Sequence, residues 1–185
     1  MPVDVKKNTL TIITALSGED ALEKFTPVIK ALHEIVPDYP LLHWRHLHPV
    51  VQDKSKQYYQ DRNYYTAFIE ATKEYADSVQ DKSGSSASGD DHLMTDAFKE
   101  EAGLLSVIGN YRKQNNTEFS PSTKRDIQRG QRFLSQGVIA GGRNPVSHVT
   151  IDELRETDLF SEKDCLDLLS ILSHLFKRLD NSTKE

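Results

Sequence analysis

Asn63-Tyr64-Tyr65-Thr66-Ala67-Phe68-Ile69-Glu70-Ala71-Thr72-Lys73-Glu74-Tyr75-Ala76-Asp77-Ser78-Val79 decides the fold class. Tyr64, Ala67, Phe68, Ala71, Tyr75 and Val79 recur every three or four residues, which gathers them on one stripe of a helix and would scatter them over both faces of a strand. Asn63 stands where a side-chain oxygen can accept from the free N–H groups of the first turn. The spacing therefore predicts an amphipathic helix from about 63 to 79.

The same period recurs on both sides. Towards the C-terminus, Ser161 and Asp164 have capping-box spacing, and Leu166, Leu169, Leu172, Leu175, Phe176 and Leu179 form a second stripe, with Lys177 and Arg178 suited to a helix C-terminus. Ser120-Pro121 is another start signal, serine as cap and proline at the first helical position, with Ile127, Phe133, Leu134 and Ile139 available for the core. Asp90 or Asp91 can cap a short helix carrying Leu93, Met94, Ala97 and Phe98. A further short helix is expected from His48 to Tyr59. Before Pro40, the cap Thr26-Pro27 and the series Phe25, Val28, Ile29, Leu32, Ile35 and Val36 predict one more, preceded by an ambiguous stretch from Thr9 to Leu16. Ser83 to Asp90 carries no large side chain and is expected to be a flexible surface loop. No other strand pattern is present, so the class is all-α.

A chain of 185 residues suffices for one domain with a helical appendage. It has no apolar run long enough to span a bilayer and no charged-then-apolar leader. Its single cysteine, Cys165, cannot form an internal disulfide and lies among leucines, as a small buried hydrophobe would. A cytoplasmic protein is expected. The net charge of −5 excludes a molecule-wide basic field of the kind that coats nucleic acid. One segment runs against it: Arg112, Lys113, Lys124, Arg125, Arg129, Arg132 and Arg143 face only Glu118 and Asp126 between residues 112 and 143.

That segment ends in Arg143-Asn144-Pro145-Val146-Ser147-His148. On an unbroken helix, residues five apart diverge by about 140°. Pro145 cannot donate to the carbonyl of Gly141 and biases Asn144 away from helical geometry, while Gly141 and Gly142 loosen the backbone before it. A kink bringing Arg143 and His148 to one side is the expectation. If the preceding helix stays continuous, Arg125, Arg129 and Arg132 form a track leading to Arg143. An imidazole can exchange protons near neutral pH, a guanidinium matches phosphate oxygens, and Asn144 can bond either the phosphate or the histidine. These groups suit cleavage of RNA by its own 2′-hydroxyl, without a metal. The competing reading is a plain turn at Asn144-Pro145 with His148 capping a helix.

Arg-Asn-Pro-x-x-His resembles the Arg-x4–6-His motif of the HEPN superfamily. His48-Pro49-Val50-Val51, then Asn63 to Lys73, Leu93-Met94 with Ala97-Phe98, and Gly137 ahead of Arg143-Asn144-Pro145 resemble, in order and spacing, the prokaryotic Ymh-type family associated with phage-related and abortive-infection loci. The resemblance implies an HEPN-like helical bundle over residues 47–182; residues 1–46, read from their own periodicity, are expected to form an N-terminal helical extension. It also implies a homodimeric, metal-independent endoribonuclease acting in phage defence or as a toxin, with RNA as substrate, no cofactor, and a partner protein from the same locus. Carried over by position, Arg143, Asn144 and His148 are the catalytic candidates. Glu70 matches an acidic residue often found near the motif. Arg125, Arg129, Arg132 and Lys73 are the candidate RNA contacts. Where related toxins carry a tyrosine two places after the histidine, this chain has Thr150. The alternative is a non-catalytic nucleotide-binding, partner-binding or dimerisation module.

His43, His46 and His48 cluster, yet no cysteine or carboxylate pair completes a metal pattern beside them. Tyr58-Tyr59, Tyr64-Tyr65 and Tyr111 could stack on bases, although aromatics at helical spacing more often belong to a core. His174 reads as structural.

Overall fold

The computed structural model describes residues 44, 46–111, 118–150, 153–154, 157 and 159–185. The expected helix around Phe25 to Val36 and the stretch Thr9 to Leu16 lie outside them, as do His43, Arg112 and Lys113. Two compact units divide the chain, Met1–Leu42 and His43–Glu185, and every described residue belongs to the second.

Among its described residues this unit is all-α apart from one two-stranded ribbon. In order come α1 (Pro49–Gln60), α2 (Tyr64–Ser83), α3 (Asp90–Phe98), β1 (Leu105–Ser106), α4 (Pro121–Gly137), a π-helical turn (Val138–Arg143), α5 (Asn144–Ser147), α6 (Glu162–Asp180) and β2 (Thr183–Lys184). Most helices begin where the sequence placed a cap. His48 precedes Pro49, and its Nδ1 accepts from the Val50 N–H at 3.3 Å. Asn63 Oδ1 accepts from the Thr66 N–H at 3.3 Å, and Ser120 Oγ from the Thr123 N–H at 3.2 Å. Ser161 and Asp164 close a reciprocal capping box. The short helix α3 differs: its cap is Gly89, with no side-chain cap bond. Asp90 and Asp91 fall inside the first turn, where their charges favour the positive end of the helix dipole.

Helix α2 is central, packing against α1, α3 and α6, while α4 packs against α3 and α6. Its stripe of Ala67, Phe68, Ala71, Tyr75 and Val79 is buried against Cys165, Leu169, Leu172, Leu175, Phe176 and Leu179 of α6. It runs one turn past the expected end and stops at Gly84, whose φ of +71° is left-handed backbone that glycine adopts without penalty. The segment after it is better anchored than its composition suggests. Ser85 is buried, and its Oγ accepts from the Ala87 N–H and donates to Asp96 Oδ2 at 3.2 Å. Small hydroxyl side chains thus supply hydrogen bonds where bulk is lacking.

Two further departures concern α4 and the C-terminus. Phe133 and Leu134, expected in the core, are 49% and 43% exposed, whereas Ile139 is buried. The inward face of α4 is instead Gln128, Gln131 and Ser135. Gln131 donates to Tyr75 Oη at 3.1 Å and to the Leu175 carbonyl at 3.3 Å, and Ser135 Oγ lies 2.8 Å from Tyr75 Oη. A buried polar face is costly unless its groups find partners; Tyr75 supplies one to Gln131 Nε2 and one to Ser135, while Gln131 Oε1 is left without one among the described residues. The ribbon pairs Leu105 with Lys184 and Ser106 with Thr183; strands of two residues are too short to carry an alternating pattern.

Candidate functional site

The proline in the motif does not produce the expected break. Asn144 is helical (φ −62°, ψ −47°), and its N–H bonds the carbonyl of Ile139. The wide turn ahead of Pro145 supplies the accommodation: in an α-helix the proline ring would collide with the carbonyl four residues back, and a π turn displaces that carbonyl. Helical backbone therefore runs from Pro121 to Ser147, with one extra residue wound into it.

The two glycines have different parts from those expected. Neither has a positive φ. A Cβ on Gly141 would meet nothing within 4 Å, but one on Gly142 would lie 2.8 Å from Cζ of the fully buried Phe68. Gly142 thus seats the π turn against α2. Beyond the motif, Thr150 Oγ1 and N–H both bond Glu153 Oε2, at 2.7 and 2.9 Å, and the Glu153 N–H returns to Thr150 Oγ1 at 3.3 Å. These bonds hold the Glu153 carboxyl below its ordinary range. Leu154 is buried against Ile69. Both ends of the motif segment are consequently pinned to adjacent residues of α2, Phe68 and Ile69.

Arg143 is half-buried and ion-paired with Asp90 at the start of α3. Asn144 and His148 are exposed. Among the described residues, no hydrogen bond joins Arg143 to His148. Glu70, the expected acidic companion, pairs with Lys73 at 2.7 Å along the exposed side of α2, so Asp90 is the carboxylate that the fold sets against the motif arginine. The signal available for it was slight, an acidic first turn following a Ser/Gly loop.

The basic track is real as geometry but partly neutralised. Arg132 and Arg129 approach Glu100 at 3.1 and 3.7 Å, and both guanidinium groups lie over the Phe133 ring, at 4.9 and 5.1 Å from its centroid. Gln136 donates to Asp91 and Thr95. Arg132, Gln136 and Arg143 therefore meet Glu100, Asp91 and Asp90 in turn along a seam between α4 and α3. Arg125 and Arg129 border a shallow surface depression with Lys99, Glu100 and Glu101.

The other candidates resolve separately. His48 Nε2 lies 2.8 Å from Asp180 Oδ2 and the ring stacks on Phe176, and no group of three metal-capable side chains occurs among the described residues. Tyr59 packs between Trp44 and Tyr64, with its hydroxyl donating to Glu162. Burial pushes the Cys165 thiol up to about 12, which leaves it protonated and a poor nucleophile at neutral pH.

An all-α domain with a guanidinium, an amide and an imidazole displayed at the end of a π turn is the class that fold and site define. The model of the Hypoth_Ymh family, described as a protein of unknown function, matches residues 45–179, and the chain belongs to that family. Comparisons with curated proteins and with solved structures return no match. No helix among the described residues is long and apolar enough to cross a membrane.

Proposed function

We propose that this chain is a metal-independent endoribonuclease of the HEPN type, acting on RNA in the cytoplasm in phage defence or as a toxin. The observation that carries the reading is the arrangement at the π turn: Arg143 is held by Asp90 yet still reachable, and Asn144 and His148 stand exposed within the same five-residue span. A guanidinium has five N–H donors, so one carboxylate leaves others for a phosphate. In the reaction His148 accepts the proton of a ribose 2′-hydroxyl. The freed oxygen bonds the adjacent phosphorus, the bond to the 5′-oxygen breaks, and a 2′,3′-cyclic phosphate and a 5′-hydroxyl result. Arg143 stabilises the additional charge on the phosphorane oxygens, and Asn144 bonds a non-bridging oxygen. Asp90 is the positioning carboxylate. Glu70 serves α2 through Lys73.

A homodimer supplies the separate acid and base: with two motifs across a two-fold axis, one His148 takes the proton and the other returns one to the leaving oxygen. The exposed Leu134 on α4 offers apolar surface for that pairing, Phe133 being overlaid by the Arg129 and Arg132 guanidinium groups. A partner protein from the same locus would control the activity. The competing reading, a non-catalytic nucleotide- or partner-binding module, draws on the carboxylates that already face the arginines. Incubating the purified chain with a mixed RNA pool in excess chelator separates the two. Wild type is expected to cleave and leave cyclic phosphate ends, while His148→Ala and Arg143→Ala lose activity by a hundredfold or more with unchanged circular dichroism. An intact RNA pool after incubation with folded wild-type protein would favour the binding module.

A further inference from the structure

A cavity of about 300 Å³ lies at the other end of α4, bounded by Val107, Ile108 and Tyr111 after β1, by Phe119 and Ile127 around the start of α4, and by the last turns of α6. Ile127 and Arg143 are separated by 16 residues, so helical rise places the cavity roughly 24 Å from the motif. Its floor is apolar, formed by Val107, Ile108 and Ile127, and two aromatic rings, Tyr111 and Phe119, flank it. His174, Lys177 and Arg178 of α6 add to the lining, and none of the described lining residues is acidic. The cavity is therefore apolar and aromatic on one side and cationic on the other.

The walls are held in place by bonds independent of any ligand. The buried Gln128 side chain accepts from the Val107 N–H at 3.1 Å and donates to the Leu105 carbonyl at 2.6 Å. Arg178 Nη1 reaches the Ile127 carbonyl at 3.5 Å, and the Glu185 N–H bonds the Leu104 carbonyl at 3.1 Å. A preformed pocket loses little ordering entropy when it binds. Burial, and after it the charges of Arg178 and Lys177, lower the His174 pKa. Lys177 and Arg178 stand side by side on α6 next to His174, and an anion would offset their mutual repulsion.

We propose that this cavity is a second ligand site, distinct from the motif, which takes a small aromatic phosphomonoester of the size of a nucleoside monophosphate. The ring lies between Tyr111 and Phe119 over the apolar floor, and the phosphate meets Lys177, Arg178 and His174. Lys177 and Arg178, the latter anchored on the Ile127 carbonyl, match a group carrying about −1.5 to −2 charges at neutral pH. The volume stands at the lower end of the range for small-molecule sites, about 300–1,000 Å³, which selects one nucleotide unit over an oligonucleotide. The site does not depend on the nuclease reading.

Calorimetric titration of the full chain tests it, with adenosine and uridine 5′-monophosphates as probes and adenosine and ribose 5-phosphate as their separate halves. At least one monophosphate is expected to bind, with each half at least tenfold weaker. Lys177→Ala, at an exposed position, weakens binding at least tenfold, Arg143→Ala leaves it unchanged, and the bound monophosphate raises the His174 pKa followed by NMR. The proposal is overturned if neither monophosphate binds at millimolar concentration, if Arg143→Ala abolishes binding while Lys177→Ala does not, or if the His174 titration is unmoved.

Discussion

At Gly142 the absence of one carbon decides where the motif sits. The helix bearing Arg143 comes so near Phe68 that a methyl group would lie 2.8 Å from its ring, and that ring is itself stacked on Phe160 at 5.7 Å, so it cannot yield freely. Gly142→Ala is expected to cost about 1–3 kcal/mol through overpacking. Gly137→Ala, at a helical position with open space around it, should gain about 0.5–1 kcal/mol from helix propensity. Urea unfolding of both variants checks the contrast, and a Gly142→Ala protein as stable as wild type would remove the contact from the account. The residue types of the motif were legible in the sequence because each has its own chemistry. The role of Gly142 was not, because glycine as a hinge and glycine as a close approach look alike until the opposing ring is known.

Among the elements, α6 shows how much of a helix local signals can specify. Its box and its leucine stripe appear as expected, and Asp164 accepts from both the Ser161 hydroxyl and N–H, at 2.5 and 2.8 Å. Ser161→Ala is expected to cost about 1 kcal/mol at neutral pH. The bonds from the Ser161 side chain and then its backbone hold the Asp164 carboxyl below its ordinary value of 3.8. A carboxyl whose folded pKa is depressed contributes stability above its unfolded pKa and loses that contribution as pH falls through the folded pKa. The difference in Tm between wild type and Asp164→Asn should thus be full at pH 6 and close progressively below about pH 4. A constant difference across that range would show that the carboxylate contributes nothing through its charge. In α4, by contrast, apolar periodicity misdirects: Phe133 and Leu134 point outward because the inward positions belong to Gln128, Gln131 and Ser135, whose burial depends on Tyr75 and the loop after α3.

Across the whole unit, the acidic balance is arranged against the basic track. Each of four cations proposed to meet RNA has a carboxylate beside it: Arg143 has Asp90, Arg129 and Arg132 share Glu100, and Lys73 has Glu70. Binding must displace or share these partners, so fewer counterions are released than the number of cations suggests. With about two to three effective phosphate contacts at −0.7 each, the slope of log affinity against log salt for single-stranded RNA is expected near −1.4 to −2.1. Fluorescence anisotropy between 50 and 200 mM salt measures it. A slope near −3.5, the value for about five unopposed contacts, would mean that the carboxylates do not compete.

The sequence by itself determined the all-α class, the start of nearly every described helix and the residue types of the Arg143-to-His148 segment. Those depend on caps, turn residues and periodicity, which act between near neighbours. Tertiary structure decided that Asp90 rather than Glu70 meets Arg143, that α4 turns polar residues inward, and that three basic residues of α6 border a cavity far from the motif. The physical reason is that these contacts join residues far apart in the chain, Tyr75 with Gln131 across 56 positions and Asp90 with Arg143 on separate helical segments, so no local signal specifies them. Where the π turn itself sits is set in the same way, by the close approach of Gly142 to Phe68, 74 residues away.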